Sequence, residues 1–195
     1  MESRRPVSDL STESSPELVE AVESGWFPPS SSVMDIGSGR GHISAWLAER
    51  GFEVMGADFA PEATRLARKH FEGVSDRLTF RTLDICADSP EPARFDALFD
   101  RGCYHSIPRE TKPRYARNAA TWAKEGARFL LLSKVARSES ELIEEVRELF
   151  GPYFDVVRTE PTFLTRSTGP IPRIRLPAIA FWMVRWASDR PVVQR

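Results

Sequence analysis

Apolar and polar residues along this chain alternate between two different patterns. Short, almost uninterrupted apolar runs are typical of buried strands, and the segments between them carry apolar residues at i, i+3 and i+4, as one helix face does. Ile43, Trp46 and Leu47 form such a face within residues 41–50. The pattern predicts strands over residues 32–36, 53–57, 78–83, 95–99, 127–135, 154–159 and 178–186, and helices over 16–24, 41–50, 61–71, 109–124 and 138–150.

The order of these elements determines the predicted fold. Strands that alternate with helices form a mostly parallel sheet, because a right-handed helical crossover returns each strand in the same direction. No helix separates the last two strands, so the seventh strand should run antiparallel beside the sixth. We predict an α/β fold, a Rossmann-like sheet of seven strands with helices on both faces. Ligands of such sheets bind beyond the carboxyl ends of the strands, where the strand order switches.

Length and composition limit the classes of protein to consider. The chain has 195 residues, of which 41% are hydrophobic and 28% charged, as is usual for a globular domain. We predict an N-terminal segment over residues 1–30, whose short helix forms a lid or cap, and a main domain over residues 31–195. The net charge of −1 argues against a nucleic-acid partner.

No apolar run reaches the ~18 residues of a membrane span, and the N-terminus carries no signal-peptide core. We therefore expect a cytoplasmic protein with no membrane partner. The oligomeric state stays open.

A glycine-rich loop carries the strongest chemical signal. Gly37, Gly39 and Gly41 follow the first predicted strand and open a helix, whose N-terminus offers free N–H groups. A dinucleotide-binding fingerprint needs a sixth-position glycine, but that position is His42. The Gly-Lys-Ser/Thr of a phosphate loop is also missing. Two interpretations stay open here: a tight turn without a ligand, or a loop that approaches a cofactor without phosphates.

Acidic residues stand at the carboxyl ends of four successive predicted strands. Asp58 lies about 20 residues after the first glycine, where an acid can accept hydrogen bonds from ribose hydroxyls. Each acid alone is more typical of a strand-end surface position or a helix cap. Together they suit a cationic ligand better than a dinucleotide. The four residues are Asp35, Asp58, Asp84 and Asp100.

With these residues in place, the stretch 33–135 resembles the class I S-adenosylmethionine-dependent methyltransferases. Within that family, residues 99–105 (FDRGCYH), followed by Pro108 and Tyr115, are similar to the thiol and thiopurine methyltransferase branch, which acts on small molecules. The resemblance implies that S-adenosylmethionine is the cofactor and S-adenosylhomocysteine the product. It implies a cofactor site made of Asp35, Gly37, Ser38, Gly39, Asp58, Phe59, Asp84, Ile85, Asp100 and Arg101.

The resemblance also assigns regions of the cofactor to these residues. Gly37, Ser38 and Gly39 would flank the methionine moiety, and Asp58 would bind the ribose. Asp84 and Ile85 would lie at the adenine. The backbone of Asp100 and Arg101 would lie near the amino-acid end.

Three residues after the fourth strand are candidates for the methyl-transfer site. His105 is the best candidate for a general base, because its pKa lies closest to neutrality; the alternative is a capping or packing role. Tyr104 either walls the methyl site or packs in the core. Cys103 is more typical of a small buried residue than of a nucleophile. We predict no metal site, since Cys103 and His105 have no second pair of ligands.

Several further residues have a functional and a structural interpretation. Trp26 and Phe27 either line the acceptor pocket or attach the first helix to the sheet. Arg40 and His42 either contact the cofactor or face solvent. Residues 162–176, which carry Arg166, Arg173 and Arg175, are predicted as a loop that either covers the acceptor or is simply solvated.

The sequence therefore predicts a methyltransferase that acts on a small-molecule nucleophile, with a thiol as one candidate acceptor. An O- or N-methyltransferase of a small metabolite is the first alternative, and a non-methylating S-adenosylmethionine-binding protein is the second. A nucleic-acid methyltransferase is disfavoured, because the Asn/Asp-Pro-Pro-aromatic motif expected after the fourth strand is replaced by residues 100–103 (DRGC).

Overall fold

The computed structural model describes residues 15–87, 94–166 and 174–187. Within these ranges, no helix is both long enough and apolar enough to cross a membrane. The helices are α1 (Pro16–Glu23), α2 (His42–Glu49), α3 (Pro61–His70), α4 (Lys112–Trp122) and α5 (Glu139–Phe150). The strands are β1 (Ser32–Ile36), β2 (Glu53–Asp58), β3 (Leu78–Thr82), β4 (Phe95–Arg101), β5 (Ala123–Lys134), β6 (Phe154–Arg166) and β7 (Ile174–Arg185).

The seven strands form one sheet in the order β3-β2-β1-β4-β5-β7-β6. All neighbours from β3 to β5 are parallel, and β7 runs antiparallel to both β5 and β6. The predicted fold class is confirmed, including the antiparallel last strand. The chain reverses its direction of travel across the sheet between β3 and β4, so the strand order switches at the pair β1 and β4.

Both faces of the sheet are buried. Along β5, Phe129 and Leu131 contribute to the core beneath α4 and α5, and the alternate residues Leu130 and Leu132 contribute to the core beneath α1 and α2. All four side chains are fully buried. This alternation explains why the strand is an unbroken apolar run in sequence: a strand covered on both faces has no polar positions.

The first helix is part of the core. Leu18, Ala21 and Phe27 are fully buried among the residues of the α1/α2 face. The Trp26 ring meets the Trp182 ring of β7 edge-on, with 4.7 Å between the centroids. Of the two interpretations of Trp26 and Phe27, the structure therefore shows attachment of the first helix to the sheet.

The predicted loop over residues 162–176 is wrong for the part that the structure describes. Residues 162–166 extend β6 and residues 174–176 extend β7, with Phe163 opposite Pro177 and Leu164 opposite Leu176. Prolines and arginines suggested a loop. Pro170 and Pro172 lie outside the described residues, and the described parts pair with each other through their backbones. Arg173 lies outside the described residues, and the Arg175 guanidinium stacks over the Phe163 ring.

The helix predicted over residues 109–124 begins later than expected. Arg109–Thr111 form a 3₁₀ turn, and α4 starts at Lys112 with a proline in its first turn. Its inward face is as predicted, because Tyr115, Ala119 and Trp122 are buried.

Candidate functional site

A cavity of about 470 Å³ lies at the carboxyl ends of the parallel strands. We call it the strand-end cavity. It occupies the switch point at β1 and β4, where open α/β sheets bind their ligands. Its volume falls within the range of about 300–1,000 Å³ that is usual for small-molecule sites. Its walls are formed by Met34, Ile36, Gly37, Ala57, Asp58, Phe59, Leu83, Asp84, Ile85, Cys86, Arg101, Gly102, Cys103, Ser106, Ile107, Pro108 and Thr111.

The glycine loop packs closely against the turn after β4. Gly37 has φ +72°, and a methyl group at this position would lie 2.6 Å from Cβ of Cys103. Its N–H donates to the Ala57 carbonyl at 2.8 Å, which attaches the loop to β2. Only glycine combines this left-handed conformation with so close an approach. The loop therefore brings backbone, rather than side chains, to the cavity wall.

Asp58 lies on the cavity wall at the end of β2. Its carboxylate accepts hydrogen bonds from the Gly39 N–H and the Ala60 N–H, both at 2.9 Å. These bonds hold the side chain in one orientation and attach it to the glycine loop. Because an ionised carboxylate has about four acceptor positions, Asp58 can still accept hydrogen bonds from a ligand.

The neighbouring wall combines an apolar ring with a second acid. Phe59 follows Asp58 and is 76% exposed, although it borders the cavity. Asp84 follows β3, and its carboxylate accepts the Cys86 N–H at 2.8 Å. Ile85 is buried beside it, and its carbonyl accepts from the Asn118 amide at 2.6 Å. This side of the cavity offers apolar contact and carboxylate acceptors together.

Asp35 and Asp100 are not among the wall residues, in contrast to the prediction. Successive side chains of a strand point to opposite faces, so Met34 and Ile36 line the cavity while Asp35 points away from it. The Asp35 carboxylate accepts the Ser44 hydroxyl of α2 at 2.6 Å. Burial raises the pKa of Asp35 to about 6.

Asp100 organises the turn that follows β4. Its carboxylate accepts the backbone N–H groups of Cys103 and Tyr104 at 2.8 and 3.0 Å, and the Tyr115 hydroxyl at 2.6 Å. The side chain is fully buried, and burial raises its pKa to about 7. Asp100 therefore acts on the site through the turn that it holds.

Arg101 is the basic residue that lines the cavity. Burial lowers the pKa of its guanidinium, and the nearby Glu17 opposes that shift. Glu17 is buried in α1 and accepts a hydrogen bond from the Thr162 hydroxyl of β6. The first helix and the β6 hairpin therefore both approach the cavity on the side of Arg101.

Tyr104 and His105 are not among the residues that line this cavity. Tyr104 is fully buried, and its hydroxyl donates to Glu145 of α5 at 2.7 Å. His105 is exposed, and its Nδ1 accepts the Lys134 N–H at 3.4 Å. Both belong to a 3₁₀ turn, Tyr104–Ser106, whose tight repeat directs successive side chains away from one another. The sequence placed these residues in the right turn but did not show which way each side chain points.

Other predicted site residues lie near the cavity without lining it. Ser38 and Gly39 belong to the loop behind the wall, and Arg40 is exposed. The His42 ring packs against the rings of His70 and Phe71, with centroids 5.5 and 5.3 Å away. His42 therefore contributes to the contact between α2 and α3.

Both cysteines line the cavity, and Cys86 is a wall residue that the sequence did not predict. Burial raises the pKa of both thiols, so they are protonated at neutral pH. The structure describes no group of three or more His, Cys, Asp or Glu side chains that could hold a metal ion. Ile107 and Thr111 also line the cavity without having been predicted, and Pro108, which contributed to the resemblance, was given no site role.

Residues 33–126 match the protein family described as "Methyltransferase domain", a stretch slightly shorter than half of the chain. Among curated proteins, 118 residues are 31% identical to a 2-heptyl-1-hydroxyquinolin-4(1H)-one methyltransferase of Mycobacteroides abscessus. That similarity covers 60% of this chain and 51% of the relative. The chain thus spans about half the length of this relative. It spans a smaller share of a second curated relative, a protein-lysine N-methyltransferase of Saccharomyces cerevisiae.

Solved structures with the same fold cover most of the chain. One, described as "Conversion of a Disulfide Bond into a Thioacetal Group during Echinomycin Biosynthesis", has a TM-score of 0.78 and 20% identity, over 88% of this chain and 82% of that one. Another is a 1,6-didemethyltoxoflavin-N1-methyltransferase of Burkholderia thailandensis with bound 1,6-didemethyltoxoflavin and S-adenosylhomocysteine. Its TM-score is 0.63 at 20% identity, over 88% and 87% of the two chains. These likenesses agree on the arrangement of the sheet and its helices.

Proposed function

We propose that this protein is an S-adenosylmethionine-dependent methyltransferase that acts on a small-molecule nucleophile and releases S-adenosylhomocysteine. One observation carries the proposal. The strand-end cavity, with its glycine loop and the carboxylates of Asp58 and Asp84, lies within the stretch that matches a methyltransferase domain. The curated relative is itself named a small-molecule methyltransferase.

The residues around the cavity fit S-adenosylmethionine chemically. Asp58 is oriented by two backbone N–H groups and retains acceptor positions for the ribose hydroxyls. Asp84 and Ile85 form the part of the wall suited to the adenine, with Phe59 as an apolar cover. The positively charged sulfonium and ammonium groups of the cofactor favour a cavity with acidic walls. When bound, the cofactor supplies an electrophilic methyl group.

The chain's contribution to methyl transfer would be chiefly positional. Holding two reactants in line can lower the barrier by about 7–11 kcal/mol. The backbone of Gly37 and the turn 102–108 form a rigid floor, since Asp100 holds that turn through two hydrogen bonds and is itself held by the Tyr115 hydroxyl of α4. Met34, Ile36 and Ile107 exclude water from the reacting atoms.

The acceptor class follows from the titratable groups on the wall. No imidazole lines the cavity among the described residues, and both thiols there are held protonated. A nucleophile that ionises readily would need no general base. A thiol, with a reference pKa of about 8.5, meets this condition better than an aliphatic alcohol. The similarity of residues 99–105 to the thiol methyltransferase branch supports the same choice, and acidic O–H or N–H acceptors are the alternative.

The decisive experiment measures S-adenosylhomocysteine formed from S-adenosylmethionine across small thiols, phenols, N-hydroxy heteroaromatics and amines. We expect turnover with at least one small molecule, and the fastest turnover among acceptors with pKa below about 9. Calorimetry with S-adenosylhomocysteine tests cofactor binding separately. Tight binding without turnover on the panel, but with methylation of protein or RNA, would overturn the small-molecule assignment. Absence of binding would overturn the cofactor assignment.

A further inference from the structure

A second cavity of about 490 Å³ lies behind the turn that bounds the strand-end cavity. We call it the α5 cavity, because residues of α5 form one of its walls; the end of β5 and the start of α4 form the others. The turn after β4 belongs to both cavities. Gly102, Cys103 and Ser106 line the strand-end cavity, and His105 lines the α5 cavity.

The charges around the α5 cavity separate into two groups. Glu144, Glu145 and Glu148 follow one another along α5, and the Lys112 ammonium pairs with Glu145 at 2.7 Å. Arg109 also lines the cavity, and its charge acts on Glu145, so three acids face two bases at this end. Lys134 and Arg137 lie at the other end, where β5 finishes and α5 begins. An anion is repelled from the glutamate end of the cavity and is stabilised at the end with Lys134 and Arg137, which we call the basic end.

The first turn of α5 shapes the basic end further. A helix N-terminus is electropositive and stabilises an anion that lies just beyond it on the helix axis, and α5 is 12 residues long. Its cap is formed by Ser138, whose hydroxyl accepts the Glu141 N–H at 3.1 Å. The first turn carries two acids, Glu139 and Glu141. Glu141 is the one on the cavity wall, where Lys134 and Arg137 outnumber it.

Ser133 provides an independent sign of a ligand. This residue of β5 lines the α5 cavity and is 1% exposed. Its buried hydroxyl makes no hydrogen bond to any residue that the structure describes. Buried polar groups are hydrogen-bonded in the great majority of cases, so this hydroxyl has capacity for a partner outside the chain, such as an ion or a water molecule.

His105 adds a donor at the same place. Because its Nδ1 accepts the Lys134 N–H, the proton of the neutral ring resides on Nε2. Desolvation lowers the pKa of His105, and Lys134 and Lys112 lower it further. The pKa of His105 therefore responds to the charges of the lysines around the ring.

We propose that the basic end of the α5 cavity binds an oxyanion, the carboxylate or phosphate group of a small molecule. Ser133, His105, Lys134 and Arg137 are the side chains that recognise it. This site is distinct from the strand-end cavity, and oxyanion binding can be measured whether or not the protein transfers methyl groups.

The test follows the imidazole signals by NMR during pH titrations, because the chain contains three histidines and His105 alone lines the α5 cavity. Sulfate serves as the tetrahedral probe and acetate as the carboxylate probe, each at constant ionic strength. A bound anion opposes the lysines, so we expect the pKa of His105 to rise by about 0.5–1 unit with a saturable dependence on probe concentration. His42 and His70, which pack together between α2 and α3, should not change.

Variants locate the binding. Ser133→Ala and Lys134→Gln should each weaken the probe's apparent affinity by about 5–10-fold, and Lys69→Gln, which removes one charge from the exposed face of α3, should not. Saturation by sulfate alone indicates a phosphate-bearing ligand, and saturation by acetate alone indicates a carboxylate. A pKa shift that is linear in probe concentration, or equal for all three histidines, would show ionic screening only and overturn the site. The same apparent affinity for the probe in all variants would also overturn it.

Discussion

At the scale of single residues, neighbours along a strand take different roles because the strand is pleated. Ile36 and Arg101 line the strand-end cavity, whereas Asp35 and Asp100, one position earlier in each strand, are buried and hydrogen-bonded within the fold. Their acidic character made all four strand-end aspartates look alike in sequence. Only Asp58 and Asp84 lie where a ligand can reach them.

Asp58 provides the most direct test of the cofactor site. Asp58→Ala should weaken binding of S-adenosylhomocysteine by about 1–3 kcal/mol, the usual effect of losing hydrogen bonds to a charged group. Calorimetry measures the affinity, and Glu53→Ala, at the opposite end of the same strand, is the matched control. Equal affinity of the Asp58→Ala variant and the unmodified protein would remove Asp58 from the site.

Asp35 makes stability depend on pH in a defined direction. Burial raises its pKa in the folded protein from 3.8 to about 6, so the folded state binds the proton more tightly than the unfolded state. The resulting stabilisation is complete below pH 3.8 and is lost as the pH rises to about 6. The side chain in the Asp35→Asn variant cannot ionise, so the variant does not lose this stabilisation as the pH rises.

The advantage of Asp35→Asn in free energy of unfolding should therefore grow between about pH 4 and 6. The limit for one ionising group is about 1.4 kcal/mol per pH unit. Above pH 6 the difference should level off. Urea unfolding at a series of pH values measures it, and parallel stability curves for the two proteins would contradict the pKa assignment.

At the scale of elements, the glycine loop between β1 and α2 positions the cavity wall by close packing. Gly37 and Gly25 share the same φ of +72°, yet only Gly37 has a neighbour within 4 Å of where a side chain would begin. The pair therefore separates backbone strain from steric overlap. Strain alone costs about 1–2 kcal/mol for an L-residue in this conformation.

Gly37→Ala should destabilise the protein more than Gly25→Ala, by about 1–3 kcal/mol, because it adds overpacking to the same backbone strain. Thermal or urea unfolding of the two variants measures the difference. The double variant Gly37→Ala/Cys103→Gly removes the atom that the new methyl group would meet, and it should recover the binding of S-adenosylhomocysteine relative to Gly37→Ala. Equal destabilisation by the two single substitutions would contradict the overlap.

The β6–β7 hairpin shows why an element's type can be hidden in sequence. The arginines and prolines of residues 162–176 suggested a loop. In the structure residues 162–166 pair with β7 through their backbone, and backbone N–H and C=O groups pair whatever the side chains are. Backbone pairing of this kind leaves no periodic apolar pattern.

At the scale of the whole molecule, the N-terminal helix and the sheet form one core. Leu18 of α1 is fully buried in the same cluster as Trp46, Leu130 and Trp182. The first helix is therefore needed to cover one face of the sheet, in addition to placing Glu17 near the cavity.

Leu18→Ala should lower the free energy of unfolding by about 2–5 kcal/mol, as large-to-small substitutions in a core do. Glu23→Ala, on the exposed side of the same helix, should have little effect. Urea unfolding compares the two variants. A small loss from Leu18→Ala would mean that α1 is only loosely attached to the sheet.

The sequence by itself determined the order and type of most elements, the parallel sheet and the strand ends at which the strand-end cavity lies. These properties follow from local periodicity and from the handedness of strand crossovers, which short stretches of sequence encode. The glycine loop, Asp58 and Asp84 were found in the same way, because each lies at or just after the end of a predicted strand, which is a local feature of the sequence.

Only the tertiary structure decided which side chains face the cavity and that β7 inserts between β5 and β6. It directed Tyr104 into the core and His105 to the α5 cavity, and it brought Cys86, Cys103 and Ile107 to one wall. These outcomes depend on contacts between residues far apart in the chain. A turn of three residues can direct its side chains in any of several ways until the neighbouring helices and strands occupy the remaining space.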